Sequence, residues 1–175
     1  MGVAVRRRRN GQGAFWGDDV GPNPTDRAKK GTKRSLIVEA DGGPLGVVIA
    51  GANVNDFKLL QKTIESIVVP RPDPEVNPQN LCLDKGYDNA PAESVVNAAQ
   101  YTPHIRRIGE EKLDQKGRKK HPARRWVVER TIAWLNGCRA ILTRHAKKSS
   151  NYLGLIMIAC ALLWYRRAWK LRVLR

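Results

Sequence analysis

The alternation of apolar and polar positions divides the chain into short strands and longer helices. Residues 35–40 and 45–50 are apolar, β-branched runs joined by Asp41-Gly-Gly-Pro44. The glycines there supply the positive φ of a tight connection, so the pattern predicts a β-hairpin. Asn53-Val-Asn-Asp56 reads as a helix start capped by Asn55 or Asp56, with Phe57, Leu59, Leu60, Ile64 and Ile67 on its core face. Asp56 is expected to be a cap and not a ligand. Four prolines within 69–79 exclude a helix and predict an extended surface linker. The linker leads into a buried strand, Leu81-Cys82-Leu83, which stops at Lys85-Gly86. Asn89, with Pro91 in the first turn, opens a predicted helix through Ala99, and 101–106 reads as a short strand. Two apolar-faced helices, about 123–142 and 150–170, close the chain. This order predicts an α/β fold, a mixed sheet with helices on its faces.

The polar stretches fall between these elements. Residues 1–17 show no amphipathic period beyond Val3 and Val5 and contain four adjacent arginines, which predicts a disordered basic arm ahead of a single domain over 18–175. The Gly, Pro and Asn residues of 17–33 mark an exposed loop carrying Arg27, Lys29, Lys30 and Lys33. Residues 107–125 form a second basic loop, with Arg118, Lys119, Lys120, Arg124 and Arg125, of the kind that orders on a phosphate backbone. Arg166 to Arg175 is a basic tail.

Charge sharpens this picture. The 175 residues carry 32 Lys and Arg against 16 Asp and Glu, a net charge of +16, and the sequence pI is near 10.3. One domain with a real core fits this length. The excess of cations is the footprint of a polyanionic partner, nucleic acid first; ribosomal proteins and membrane-surface proteins share it. Cys82, Cys138 and Cys160 form no C-x-x-C pair and read as reduced core thiols of a cytoplasmic protein. The N-terminal arginines are followed by no apolar h-region, so no signal peptide is expected. The apolar run from Leu153 to Leu163 is about half the roughly 20 residues of a spanning helix and reads as a core helix.

Two acidic residues are candidates for chemistry. Asp84 stands at the C-terminal end of the 81–83 strand, where ligands of open sheets often sit. Glu129 lies within a helix beside Arg124, Arg125 and Arg130, a setting that suits phosphate or metal. Each also has an ordinary explanation. An Asp after a strand is commonly a turn or cap residue, and a Glu among arginines is commonly a solvated ion-pair partner. His104 and His121 receive no role.

The strings LCLDKGYDN, around Asp84, and RRWVVERTIAWLNGCR, around Glu129, resemble the second and third acidic motifs of bacterial insertion-sequence transposases of the DDE superfamily, in the broad group of insertion sequences four and five. GPNPTDRAKKGTKRSLIVEADGGPLGVVIAGANVNDFKLL at 21–60 and NYLGLIMIACALLWYR at 151–166 resemble the same family. In its Tyr, Arg, Glu, Lys signature, Arg125 and Glu129 keep the spacing, while Pro122 stands at the Tyr position and Asn136 at the Lys position. Arg139, a turn beyond Asn136, is a candidate to replace that lysine in steering phosphate. The resemblance implies an RNase H-like fold in which three carboxylates hold two Mg2+ ions for strand cleavage and transfer at insertion-sequence ends. It also implies double-stranded DNA bearing terminal inverted repeats as partner, with a homodimer as one assembly open to it.

The first of the three acidic residues should lie on the central strand, just upstream of GPNPTDR, yet 1–17 contain no Asp or Glu. Read one nucleotide later with suitable codons, Val3 to Trp16 can spell WRSVDGETAKAPFG, placing an Asp across the codons of Arg7 and Arg8. A frameshifted copy lacking its proper first strand and defective in catalysis is therefore expected. A non-catalytic DNA-binding remnant and a product that never folds stably are the alternatives. Asp18, Asp19 and Asp26 are the nearby acidic substitutes, all in a loop.

Overall fold

A computed structural model describes residues 2–5, 17–24, 29–105, 125–171 and 173, with backbone alone for 2–5 and 125. The frameshift reading of Arg7 and Arg8, the second basic loop with Arg118, Lys119, Lys120 and Arg124, and Arg27 and Asp26 lie outside the described residues.

The strands are β1 (Gly2–Val5), β2 (Gly21–Pro22), β3 (Lys30–Val38), β4 (Pro44–Gly51), β5 (Asn80–Leu83) and β6 (Thr102–Ile105). The helices are α1 (Asp56–Glu65), α2 (Ala90–Ala98), α3 (Arg125–Asn136), α4 (Arg139–Leu142) and α5 (Ser149–Lys170). Across the sheet the order is β4-β3-β1-β5-β6, with β2 on the first residues of β3. β4, β3 and β1 are antiparallel, whereas β1, β5 and β6 are parallel. This is the mixed sheet flanked by helices that the sequence predicts, and it is consistent with an RNase H-like arrangement.

Part of the predicted disordered arm is a strand, and the place of the first strand is filled. Gly2, Val3, Ala4 and Val5 pair with Val38, Ile37, Leu36 and Ser35 of β3, and Gly2 pairs with Cys82 of β5. Val3 and Val5 were the sole periodic signal in 1–17. Two flanking strands supply the backbone partners that let so short a segment count as structure.

β3 distributes the core between the two faces. Leu36 and Val38 point to one side and join Val127, Val128, Ile132 and Ile156 from α3 and α5. Ile37 points to the other and joins Leu60, Leu81, Val96 and Tyr87 beneath α1 and α2. Asn55 caps α1, accepting from the Phe57 N–H, and Asn89 caps α2, accepting from the Ala92 N–H, as the sequence suggested. The helix predicted over 123–142 is instead broken at Gly137-Cys138. The N–H groups of these two residues turn back to the carbonyls of Trp134 and Leu135, and α4 starts afresh. The predicted basic tail is helical as far as Lys170. Among the described residues no helix is long and apolar enough to cross a membrane. Cys82 and Cys160 are half-buried, and burial pushes the Cys160 thiol up to about 11. Cys138 is exposed rather than in the core, because it sits at the break between α3 and α4.

The β3–β4 turn is tied to α3 and α5. The Glu39 carboxylate accepts from the N–H groups of Asp41 (2.8 Å) and Gly43 (2.6 Å) and from Arg167 of α5 at 2.6 Å. Gly42 takes a φ of +91°, and a Cβ on Gly43 would stand 2.4 Å from the Trp164 ring, so this turn requires both glycines. Trp164 Nε1 donates to the Pro44 carbonyl at 2.7 Å. Burial alone would raise the Glu39 carboxyl, but the two N–H donors and the Arg167 guanidinium outweigh it and hold it below its ordinary 4.5. The stabilisation from a depressed carboxyl is present above its unfolded value and is lost as pH falls through the folded one. In urea unfolding, the stability gap between the native chain and Glu39→Gln should therefore narrow as pH is lowered from neutral to below 4.5; a gap independent of pH would contradict this role.

Candidate functional site

The two candidate carboxylates stand on elements that flank the same strand. Asp84 directly follows β5, which runs parallel to β1, and Glu129 lies on α3, which packs across β1 and β3. Both residues are half-buried. Asp84 also fulfils the ordinary reading, because its Oδ1 accepts from the Lys85 N–H at 2.8 Å and caps a 3-10 turn over Lys85–Tyr87. At the end of that turn the Tyr87 hydroxyl is buried without a hydrogen-bond partner. Burial, reinforced by the negative charges of Asp56 and Asp84, drives its pKa far upward, so it stays protonated.

On α3, the side of the helix that carries Glu129 also carries Asn136, two helical turns further on. Asn136 is buried, and its Oδ1 accepts from Nη2 of Arg34 at 2.8 Å. Arg34 thus brings a cation to Asn136, whereas Arg139 is exposed on α4. Arg34 Nη1 and Asn136 Nδ2 are both buried donors without an acceptor. The cavity of about 10 Å³ against Arg34, Leu36 and Ile132 has room for about one water. Sequence reasoning missed Arg34, although a signal existed: in β3 it occupies the same alternating row as Leu36 and Val38, and an arginine in an apolar row needs a partner.

The other cations near the carboxylates serve different ends. Arg130, beside Glu129 in sequence, lies between the rings of Trp126 (4.8 Å) and Trp134 (5.2 Å) and donates to the Asp41 carbonyl at 2.6 Å. Arg144, unremarked in the sequence, is buried and donates to the carbonyls of Asp18 (2.8 Å), Ala146 (2.9 Å) and Lys147 (3.0 Å), fastening the 17–20 segment to the α4–α5 connection. Asp18 and Asp19 are exposed.

Lys33 must be withdrawn from the DNA-contact set. β3 begins at Lys30, earlier than predicted, and carries the Lys33 side chain into the interior, where 2% of it is exposed. Its ammonium pairs with Asp56 and donates to the Val54 carbonyl at 2.5 Å. Asp56 is thus the partner of a buried cation, and Asn55 performs the capping. Lys29, Lys30 and Arg139 are exposed.

The fit to a metal pair is incomplete. Carboxylate oxygens suit Mg2+, but among the described residues no group of three or more His, Cys, Asp or Glu side chains is arranged to hold a metal ion. A cleft of about 370 Å³ lies between α1 and α2, lined by Gln61, Glu65 and Ser94, and contains neither Asp84 nor Glu129.

With this geometry established, the family model for the transposase DDE domain matches residues 2–164, nearly the whole chain. The chain belongs to the DDE transposases. A putative transposase for insertion sequence element IS402 from Burkholderia cepacia is 33% identical over 169 residues, covering 92% of this chain and 76% of that protein. No solved structure matches. The family match starts at residue 2, so it includes β1.

Lys33 gives a direct test of which basic residues are structural. Lys33→Met strands Asp56 and the Val54 carbonyl. It should cost about 1–3 kcal/mol in chemical denaturation, less than the ~3–5 kcal/mol of a fully buried pair because Asp56 keeps some exposure. A variant of unchanged stability but weakened DNA affinity would return Lys33 to the DNA-contact set.

Proposed function

We propose that this DDE transposase chain binds double-stranded DNA through its basic surface and is defective in metal-dependent strand cleavage and transfer. One observation carries the reading: Gly2–Val5, the strand between β3 and the Asp84 strand, has no acidic residue. The family chemistry needs a carboxylate on that strand to bridge two cations. Asp84 and Glu129 are the second and third acidic positions and would bind Mg2+ weakly by themselves. Lys29, Lys30, Arg139 and Arg125, together with Arg27, Arg118, Lys119, Lys120 and Arg124, are the cations proposed to contact phosphate.

A net charge of +16 supports affinity that depends on counterion release, in which log K falls by roughly 0.9 per phosphate neutralised for each unit of log salt. The test combines a duplex-binding titration across ionic strengths with a cleavage assay in Mg2+. The expected result is steeply salt-dependent binding, unchanged by chelator, with no Mg2+-dependent cleavage. Cleavage that requires Mg2+ and disappears in Asp84→Ala would refute the defect, and salt-independent binding would refute the electrostatic interface.

A further inference from the structure

The pair formed by Arg34 and Asn136 is short of an acceptor. Nη2 of Arg34 donates to Asn136 Oδ1 at 2.8 Å, which engages the one acceptor atom of that amide. Only donors remain: Arg34 Nη1 and Asn136 Nδ2 are both buried, and neither has a hydrogen-bond partner. A buried donor left unpaired costs its full desolvation, and more when it is charged. Native folds rarely leave such groups empty-handed without a bound water or ion.

The space beside them suits one small occupant. Arg34 lines a cavity of about 10 Å³ together with Leu36, Val47, Ile132, Leu135 and Ile156, and it is the polar member of that set. The volume is close to that of one water-sized sphere. Charge is also unbalanced there. An arginine stays protonated in a protein, and among the described residues no carboxylate lies within ion-pair distance of Arg34. The other charge that reaches Tyr152 in this part of the core, Arg144, is a second cation. Lys33 has Asp56, Arg167 has Glu39 and Arg144 has several carbonyls, whereas Arg34 has a single amide oxygen.

We infer that this cavity binds one small monovalent anion of the halide class, held by Arg34 Nη1 and Asn136 Nδ2. Water is the weaker occupant. It would accept from the two donors but bring two protons of its own, and the apolar walls offer nothing to receive them. A halide only accepts, and it neutralises the guanidinium where the low dielectric makes their attraction strong. Phosphate and sulfate are too large for this volume, so the site is separate from any surface that meets DNA. Its position gives the anion a consequence. Ser35, next to Arg34, pairs with Val5 at the end of β1, and β1 runs parallel to the strand that Asp84 follows. Asn136 lies on the helix that carries Glu129. The anion therefore ties α3 to β3 at the end of the sheet where Asp84 stands.

The site is independent of whether the chain cleaves DNA. The test is urea unfolding of the intact chain, without DNA or divalent cations, at one ionic strength with sodium gluconate exchanged stepwise for sodium chloride or bromide. The native chain should gain stability along a saturating curve, its folding equilibrium constant rising on the order of tenfold once chloride reaches ten times its dissociation constant. Asn136→Asp supplies the negative charge from the chain itself. That variant should be more stable than the native chain in gluconate and should lose the halide response. Arg34→Met removes the cation and should lose the response as well. Crystals grown in bromide should show an anomalous peak in contact with Arg34 Nη1. A native chain indifferent to the anion, a halide response that survives Asn136→Asp, or a water in place of the bromide peak would each overturn the proposal. The second outcome would assign the response to general screening of the basic surface.

Discussion

The structure depends on one short ladder. β1 supplies four residues, and those residues join two otherwise separate pieces of sheet, the β3–β4 hairpin and the parallel β5–β6 pair. A central strand uses both edges of its backbone, so its N–H and C=O groups are divided between neighbours of opposite direction. Without it, β3 and β5 would each present an unpaired edge, and the cores on the two faces would lose the sheet that separates them. α3 packs across this same strand, so the placement of Glu129 relative to Asp84 also passes through it.

Around that ladder, cations do more structural work than a basic surface suggests. Lys33 pairs with Asp56, Arg34 reaches Asn136, Arg144 gathers four carbonyls, and Arg167 holds the β3–β4 turn through Glu39. Burying a charge is costly unless hydrogen bonds surround it, and each of these residues lies where the chain must be fastened across elements distant in sequence. The net charge of +16 therefore overstates what is free to meet a polyanion. The exposed cations are Lys29, Lys30, Arg139, Arg166 and Lys170 among the described residues singled out above.

Much of the architecture was legible because its signals are local. The Asp41-Gly-Gly-Pro44 turn, the Asn55 and Asn89 caps, the prolines of 69–79 and the strand ending at Asp84 each announce themselves within a few residues. What could not be read depends on partners remote in sequence. Gly2–Val5 looks featureless until strands on both sides claim its backbone. Lys33 looks like a loop cation until β3 is seen to begin at Lys30. The break at Gly137-Cys138 hides inside a continuous apolar period, since Leu135 and Ile141 both remain in the core. Of the candidate site, the positions of Asp84 and Glu129 on a strand end and a helix were legible. The engagement of Asn136 by Arg34 was not, because a hydrogen bond between residues so far apart leaves no mark on spacing.

Amide hydrogen exchange along Gly2–Val5 measures the central ladder most directly. If β1 unites the sheet, the bonded amides of this strand should exchange only on global unfolding, with protection equal to that of Leu36–Val38 in β3 and Leu81–Leu83 in β5. Exchange of Gly2–Val5 at the rate of an unstructured peptide, while β3 and β5 stay protected, would contradict the account and leave the two halves of the sheet without their bridge.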